Sequence, residues 1–290
     1  MARNRLELAA FAKINLALDV LHKREDGFHE VKMVMQTVDL ADRILLEERQ
    51  EKITIAAERL LLPNDRENLA WRAAHLLQQQ YCPERGVHIT LEKRIPLAAG
   101  LAGGSADAAA VLNGLNRLWN LQIDREHLSR LAATLGSDIP FCLTGGTMLA
   151  TGRGEVLAPL VPLVPCGVVL AKPPVAAPTA WVYSCYRPEK VLRHPDIDRM
   201  IRCLEQQDLS GVAREAGNVL ETVMLPEQPV IAELKAYMIK YGALTGLMSG
   251  SGSTVFGLTA DMDQAEYIAE RLRRHAIADV FVARTVEKVE

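Results

Sequence analysis

Apolar and polar residues alternate along 12–21, with Ile14, Leu16, Leu18 and Val20 on one face and Asn15, Ala17 and Asp19 on the other. They alternate again along 31–37, through Val31, Met33, Met35 and Thr37. A period of two is the signature of a strand. The charged segment between them contains Asp26-Gly27, a turn signal, so the pair reads as a long hairpin. Further strands are predicted at 43–47, 52–56 and 87–91. Leu69, Ala73, Leu76 and Leu77 form one stripe of a helix over 67–81. An alanine-rich helix is predicted over 105–119, and another over 125–135 that runs into Gly136-Ser137-Asp138-Ile139-Pro140. Glycines and then prolines crowd 145–160. A domain boundary is placed there, giving domains 1–158 and 159–290. Beyond it the pattern predicts a strand at 167–172, helices at 196–206, 208–223 and 229–241, and strands at 243–249 and 253–259. A helix at 263–275 and a strand at 279–286 complete an α+β sandwich with helices on one sheet face.

Composition narrows the partners. Of 290 residues, 49% are hydrophobic and 24% charged, a globular balance. The formal net charge of -3 gives no reason to expect a nucleic-acid or membrane-surface partner. The five cysteines are odd in number and none is spaced CxxC, which argues against a disulfide framework or a zinc site and for a reducing cytoplasm. The N-terminal stretch Met1–Glu7 has no long apolar core of the kind that directs secretion. The longest uncharged stretch, Leu157–Ala171, is broken by three prolines and is too short to span a bilayer as a helix.

Three segments carry candidate chemistry. Pro96-Leu97-Ala98-Ala99-Gly100-Leu101-Ala102-Gly103-Gly104-Ser105-Ala106 lies between a predicted strand and a predicted helix. Glycines allow positive φ and close approach, and N–H groups at a helix start attract a phosphate. Ser105 can cap the helix or offer its hydroxyl to a phosphate or to Mg²⁺. The loop is neither a Walker A sequence nor GxGxxG, so by itself it supports an anion cradle or a tight connection into a packed helix. Lys13 sits inside an apolar strand, either as a site residue or as an edge lysine with its head in water. Asp138 is a turn or cap residue, or a carboxylate at the mouth of a cleft. Ser249-Gly250-Ser251-Gly252 reads as a tight turn between strands, a simple hairpin or a second glycine turn closing on phosphates.

These segments, in this order, resemble the galactokinase–homoserine kinase–mevalonate kinase–phosphomevalonate kinase superfamily. Its three motifs look like Ala12-Lys13-Ile14-Asn15-Leu16, Pro96 to Ala109, and Ser249 to Gly252. Arg24-Glu25-Asp26-Gly27-Phe28-His29, Glu67-Asn68-Leu69, Leu135 to Pro140 and Thr151-Gly152-Arg153-Gly154-Glu155 resemble more narrowly the members that act on a cytidine diphosphate methylerythritol. The resemblance implies a two-domain fold, with an N-terminal domain like domain 2 of ribosomal protein S5 and a ferredoxin-like C-terminal α/β sandwich. It implies ATP and Mg²⁺ as cofactors and a small-molecule alcohol as acceptor, with the enzyme a monomer or a homodimer. Lys13 and Asp138 match the catalytic pair, with Asp138 as base. Residues 96–106 match the ATP-phosphate loop, and Asn68 a position near the adenine. Asn15 falls to the substrate. His29 matches the residue that reads cytosine, and Phe28 and Tyr183 the rings that sandwich it. The sequence departs from the pattern at Phe28, where tyrosine is common, and at Ala106, where a second serine is common. It departs also at Ser253, where proline is frequent, which predicts a looser turn.

Overall fold

The computed structural model describes residues 4–57 and 66–288; Met1–Arg3 of the N-terminal stretch considered above lie outside them. The fold is α+β, in two compact units. The first comprises the chain up to Ala12, Ala41–Ile95 and Ala102–Thr144; the second comprises Lys13–Leu40, Pro96–Leu101 and the chain from Gly145 onward. Strands β1 (Arg5–Lys23) and β2 (His29–Gln50) run through both.

In the first unit, the end of β2 pairs antiparallel with β4 (Arg85–Glu92), from Arg43 opposite Glu92 to Gln50 opposite Arg85. Strand β3 (Ile53–Ala57) pairs parallel with β4. Helices α1 (Leu69–Tyr81), α2 (Gly103–Leu118), α3 (Arg125–Leu135) and α4 (Ile139–Thr144) pack together. The alanines of α2 allow this: Ala106, Ala108, Ala109 and Ala110 are all buried, and small side chains let helices approach closely. Gly114 lets α2 approach the sheet, because a Cβ there would lie 2.4 Å from a Leu8 methyl on β1 and 2.5 Å from a Leu46 methyl on β2.

In the second unit, Met33–Gln36 of β2 pairs with β5 (Thr147–Thr151), which turns back into β6 (Val156–Pro159). A second sheet, in the order β11-β7-β10-β9, is antiparallel throughout. Its strands are β7 (Gly167–Lys172), β9 (Leu247–Met248), β10 (Val255–Thr259) and β11 (Asp279–Arg284). Helices α9 (Pro229–Lys240) and α10 (Met262–Arg273) lie against it, as the alternation of the last third predicts. The remaining elements are α5 (Thr179–Cys185), a single 3-10 turn (Pro188–Lys190), α6 (Ile197–Glu205), α7 (Leu209–Glu215), β8 (Gly217–Asn218) and α8 (Glu221–Glu227).

Several elements differ from the sequence expectation. The strands expected at 31–37 and 43–47 are one continuous strand, because 38–42 contains neither glycine nor proline to end it. Strand β1 is buried on both faces from Ala12 to Val20, so its alternation is not an inside–outside pattern. The glycine- and proline-rich stretch at 145–160 folds as the hairpin β5–β6. The helix expected at 208–223 is broken. Gly217 and Asn218 are extended and pair parallel with Ala17 and Leu18, which removes them from any helix. The strand expected at 243–249 shrinks to Leu247–Met248.

Candidate active site

The glycine-rich loop has an unusual backbone. φ is positive at Ala98 (48°), Gly100 (74°) and Ala102 (57°), so its sign alternates along the loop. Such alternation turns successive N–H groups toward one side and forms an anion-binding concavity. Alanine in the left-handed region costs roughly 1–2 kcal/mol and persists only where the surroundings hold it.

The second unit supplies that hold. Ala99 O accepts from Thr254 N (3.2 Å), Gly100 O from Ser249 Oγ (3.0 Å) and Lys13 Nζ (3.3 Å), and Leu101 O from Lys13 N (3.1 Å). Three successive carbonyls are thus drawn toward β1 and the Ser249–Gly252 turn. In a trans peptide the following N–H points the opposite way, so those of Gly100, Leu101 and Ala102 face away from these partners. Gly100 cannot be otherwise: a Cβ there would lie 2.0 Å from Ser249 O. The second glycine turn is therefore packed on the first.

Lys13 is buried, which removes the reading of an edge lysine with its head in water. Its ammonium donates to Asn15 Oδ1 at 2.6 Å, and Asn15 N donates to Ser249 Oγ at 3.3 Å. The turn is clamped from behind by a residue the sequence did not single out. Asn218 Nδ2 donates to Met248 O (2.8 Å) and Gly250 O (2.7 Å). Ser253, where a looser turn was expected, is fully buried, and its hydroxyl donates to Val175 O at 2.6 Å. The turn is tied down rather than loose.

The first unit holds the other half of the loop. Ala102 precedes α2 and makes no side-chain cap, so the N–H groups at the start of α2 receive none from it. Ser105 is half-buried in that first turn. Asn68 caps α1 through Oδ1, which accepts from Ala70 N at 2.9 Å. It stands near the loop, since a Cβ on Gly104 would lie 3.6 Å from the neighbouring Leu69 side chain. Asp138 is half-buried at the start of α4, where its carbonyl accepts from Cys142 N at 3.1 Å. Its backbone takes the cap position of that helix, and α4 packs on α2.

Beneath the loop lies a buried ion cluster that the sequence pattern did not reveal. Lys93 Nζ donates to Asp42 Oδ2 and, at 2.6 Å, to Asp107 Oδ2. Asp42 Oδ1 accepts from the N–H groups of Arg94 (2.6 Å) and Ile95 (2.8 Å), the last two residues before the loop. Two carboxylates share one ammonium. Burial, and then the nearness of Asp42, push the Asp107 carboxyl up to about 7, against the pull of Lys93. Asp107 therefore belongs to the foundation of the loop, beyond any effect on the helix dipole.

The remaining predicted residues gather in the second unit. The His29 ring lies 5.4 Å from that of Tyr183, tilted by 33°, and 6.3 Å edge-on from that of Tyr186. Burial, and then the nearby Lys23, hold the His29 imidazole below its usual range, so it is neutral at pH 7. Phe28 is 52% exposed, and its ring lies under the Arg153 guanidinium, 4.9 Å from the centroid. Thr179 Oγ1 on α5 lies 2.9 Å from Ser251 Oγ, so the helix that carries Tyr183 is joined to the glycine turn. The structure thus brings together Lys13, Asn15, Gly100 and Ser249 as one cluster and His29 with Tyr183 as another. In the first unit it brings Asn68 close to the start of α2. Tyr186, Asn218, Lys93 and Asp42 were missed.

Comparisons with known proteins agree on kinship. A family model for the GHMP kinases N terminal domain matches residues 68–146, and one for the GHMP kinases C terminal matches 195–278. A 4-diphosphocytidyl-2-C-methyl-D-erythritol kinase from Geobacillus kaustophilus (strain HTA426) is 51% identical over 271 residues, 93% of each chain. A crystal structure of 4-(cytidine 5'-diphospho)-2C-methyl-D-erythritol kinase superposes with a TM-score of 0.84 at 38% identity, covering 97% of this chain and 99% of the other. A homoserine kinase from Cytophaga hutchinsonii superposes with a TM-score of 0.80 at 20% identity, covering 100% and 97%, a likeness of fold alone.

Proposed function

The chain belongs to the 4-diphosphocytidyl-2-C-methyl-D-erythritol kinases, a family within the GHMP kinases, and from that premise we propose that it transfers the γ-phosphoryl group of ATP to the 2-hydroxyl of its namesake substrate. The products are the 2-phosphate and ADP, formed on a route to isoprenoid precursors. Residues 1–158 form the ATP-binding domain and 159–290 the substrate-binding domain, and the two family matches fall one within each. The enzyme works in the cytoplasm as a monomer or homodimer. Among the described residues no helix is long and apolar enough to cross a membrane.

The backbone of residues 96–106 holds the ATP phosphates, with Asn68 near the adenine. The loop's donor set is main-chain N–H groups and one hydroxyl, that of Ser105. That set suits an Mg²⁺ that arrives on the nucleotide phosphates and keeps much of its water, with Ser105 as the loop's own oxygen for phosphate or ion. Bound there, Mg²⁺ would offset negative charge on the nucleotide phosphates. Asp138 accepts the proton of the attacking 2-hydroxyl. Lys13, its ammonium positioned by Asn15 and Gly100 O, stabilises charge that develops during transfer. Asn15 helps place the acceptor. Cytosine stacks between Phe28 and Tyr183, and the neutral His29 imidazole reads its edge by hydrogen bonding.

Beyond kinship, the observation that carries the cytidine reading is the His29–Tyr183 ring pair on the same unit as Lys13, residues 96–101 and the Ser249–Gly252 turn. A homoserine or mevalonate kinase has no use for it. With MgATP, purified protein should release ADP when given the cytidine diphosphate substrate and not when given homoserine or mevalonate. The reverse pattern overturns the reading. Asp138→Asn should fold and bind ATP yet lose about 10²–10⁴-fold in kcat, the usual worth of a general base. Turnover near the wild-type rate would remove Asp138 from that role.

A further inference from the structure

Two turns meet at Phe28, and only one of them figures in the reaction described above. The first is Arg24–His29. Its Gly27 has φ of 86°, Arg24 N donates to Phe28 O at 2.8 Å, and Phe28 N donates to Asp26 Oδ1 at 3.1 Å. The second is the tip of hairpin β5–β6. Gly152 and Gly154 have φ of 72° and 113°, and Gly154 N donates to Thr151 O at 3.0 Å. Arg153 stands between these glycines. Glu155 holds it twice, accepting from Arg153 N at 2.6 Å and from Arg153 Nε at 3.3 Å.

Glu30 bolts the two turns together. One of its oxygens accepts from Gly152 N at 3.0 Å, the other from Arg24 Nη1 at 2.6 Å, and Arg24 Nε in turn pairs with Asp26 at 3.1 Å. Val31 N closes the join, donating to Gly152 O at 2.8 Å. A network this connected fixes where the Arg153 guanidinium lies, and it lies over the ring of Phe28. Phe28 lacks the hydroxyl with which a tyrosine could anchor its ring. A half-exposed phenyl would otherwise be free to rotate about χ1 and χ2.

From this geometry, and resting on the reading of Phe28 as a cytosine-stacking ring, we infer that Arg153 is a positioning residue for the nucleobase. Its guanidinium braces one face of Phe28 so that the opposite face is presented to cytosine. The specificity element is then a three-layer stack of guanidinium, phenyl and base. A ring already held in one orientation loses less freedom when the base stacks on its far face. The brace therefore lowers the cost of forming the complex, which lowers KM.

The test is steady-state kinetics of Arg153→Met, which keeps an apolar stem without the cation, in the wild-type and Phe28→Leu backgrounds. In the wild-type background the KM for the cytidine diphosphate substrate should rise about three- to tenfold. The KM for ATP should hold, and kcat should stay within about twofold. Arg153→Lys should recover part of the loss. In the Phe28→Leu background, Arg153→Met should add little, because the ring it braces is gone. Failure of the wild-type enzyme to use the cytidine substrate would defeat the proposed function itself. Given wild-type turnover, an unchanged KM in Arg153→Met overturns the brace. So does an equal penalty in both backgrounds, which would mean that Arg153 meets the substrate directly. A matching rise in the KM for ATP also overturns it, as the mark of a general structural defect.

Discussion

Residues 96–101 and 249–254 are joined to each other through main-chain groups and the buried Ser249 hydroxyl, whereas the turn Arg24–His29 is held by ion pairs near the surface and presents side chains. Both lie in the second unit. At the first, glycine is needed because another backbone occupies the space a Cβ would take. A mutation there adds atoms where none fit, and the cost falls on folding and on every ligand. At the second, the working parts are rings and an imidazole that reach outward. A mutation there subtracts one contact, and the cost falls on one substrate. A phosphate is common to all ATP reactions and can be met by backbone alone; a nucleobase must be told from others, which takes side-chain chemistry.

The contrast can be broken at either end. Gly100→Ala puts a methyl 2.0 Å from Ser249 O at a φ of 74°. The expected loss is about 3 kcal/mol or more of folding stability, with turnover falling alongside. Thermal or urea unfolding and ADP release check both, and a wild-type melt would show that the two turns are not locked together. Asn218→Ala removes both hydrogen bonds behind the Ser249–Gly252 turn. We expect about 1–3 kcal/mol less stability and a raised KM for ATP. A change confined to the cytidine substrate would place the clamp at the wrong end.

His29→Ala should leave stability within about 0.5 kcal/mol and raise the KM for the cytidine substrate about tenfold, as for a lost base-reading hydrogen bond. An unchanged KM would refute the reader role. The smallest effect is in pH. Burial lowers the His29 pKa below 6.5. As pH falls through 6.5 an unfolded chain takes up that proton first, so the folded form loses stability only in acid, between 6.5 and the lower folded value. The KM of the wild-type enzyme for the cytidine substrate should hold from pH 8 to 6.5 and rise below that. His29→Ala should lack the rise, and a rise already complete above 6.5 would contradict a neutral reader.

Local periodicity made much of the fold legible. Strands β1 to β4 and β7, helices α1 to α3 and the β10–α10–β11 ending follow from alternation or from a 3.6-residue stripe. Elements whose cause lies far along the chain escaped. Gly217-Asn218 leaves a helical pattern because of β1, two hundred residues earlier. Helix α4 is only six residues and opens on Ile139-Pro140, too short to show a period. The site divides in the same way. Lys13, Gly100 and Ser249 stood in recognisable motifs, and the structure sets the three side by side. Asn218 gave no signal, because its partners are main-chain carbonyls some thirty residues on. Lys93 follows directly on the end of β4 and belongs to no motif. What makes it special is Asp42, 51 residues away in sequence, and the dryness of the space around them.

The central claim is that this chain places the γ-phosphoryl group on one hydroxyl of a cytidine-tagged alcohol. Phosphorus NMR of a reaction containing the protein, MgATP and 4-diphosphocytidyl-2-C-methyl-D-erythritol tests it most directly. The account predicts one new phosphomonoester resonance, coupled to carbon 2 of the erythritol, rising in step with ADP while the diphosphate pair of the substrate persists. ADP without that resonance, or a phosphomonoester on another hydroxyl, would contradict it.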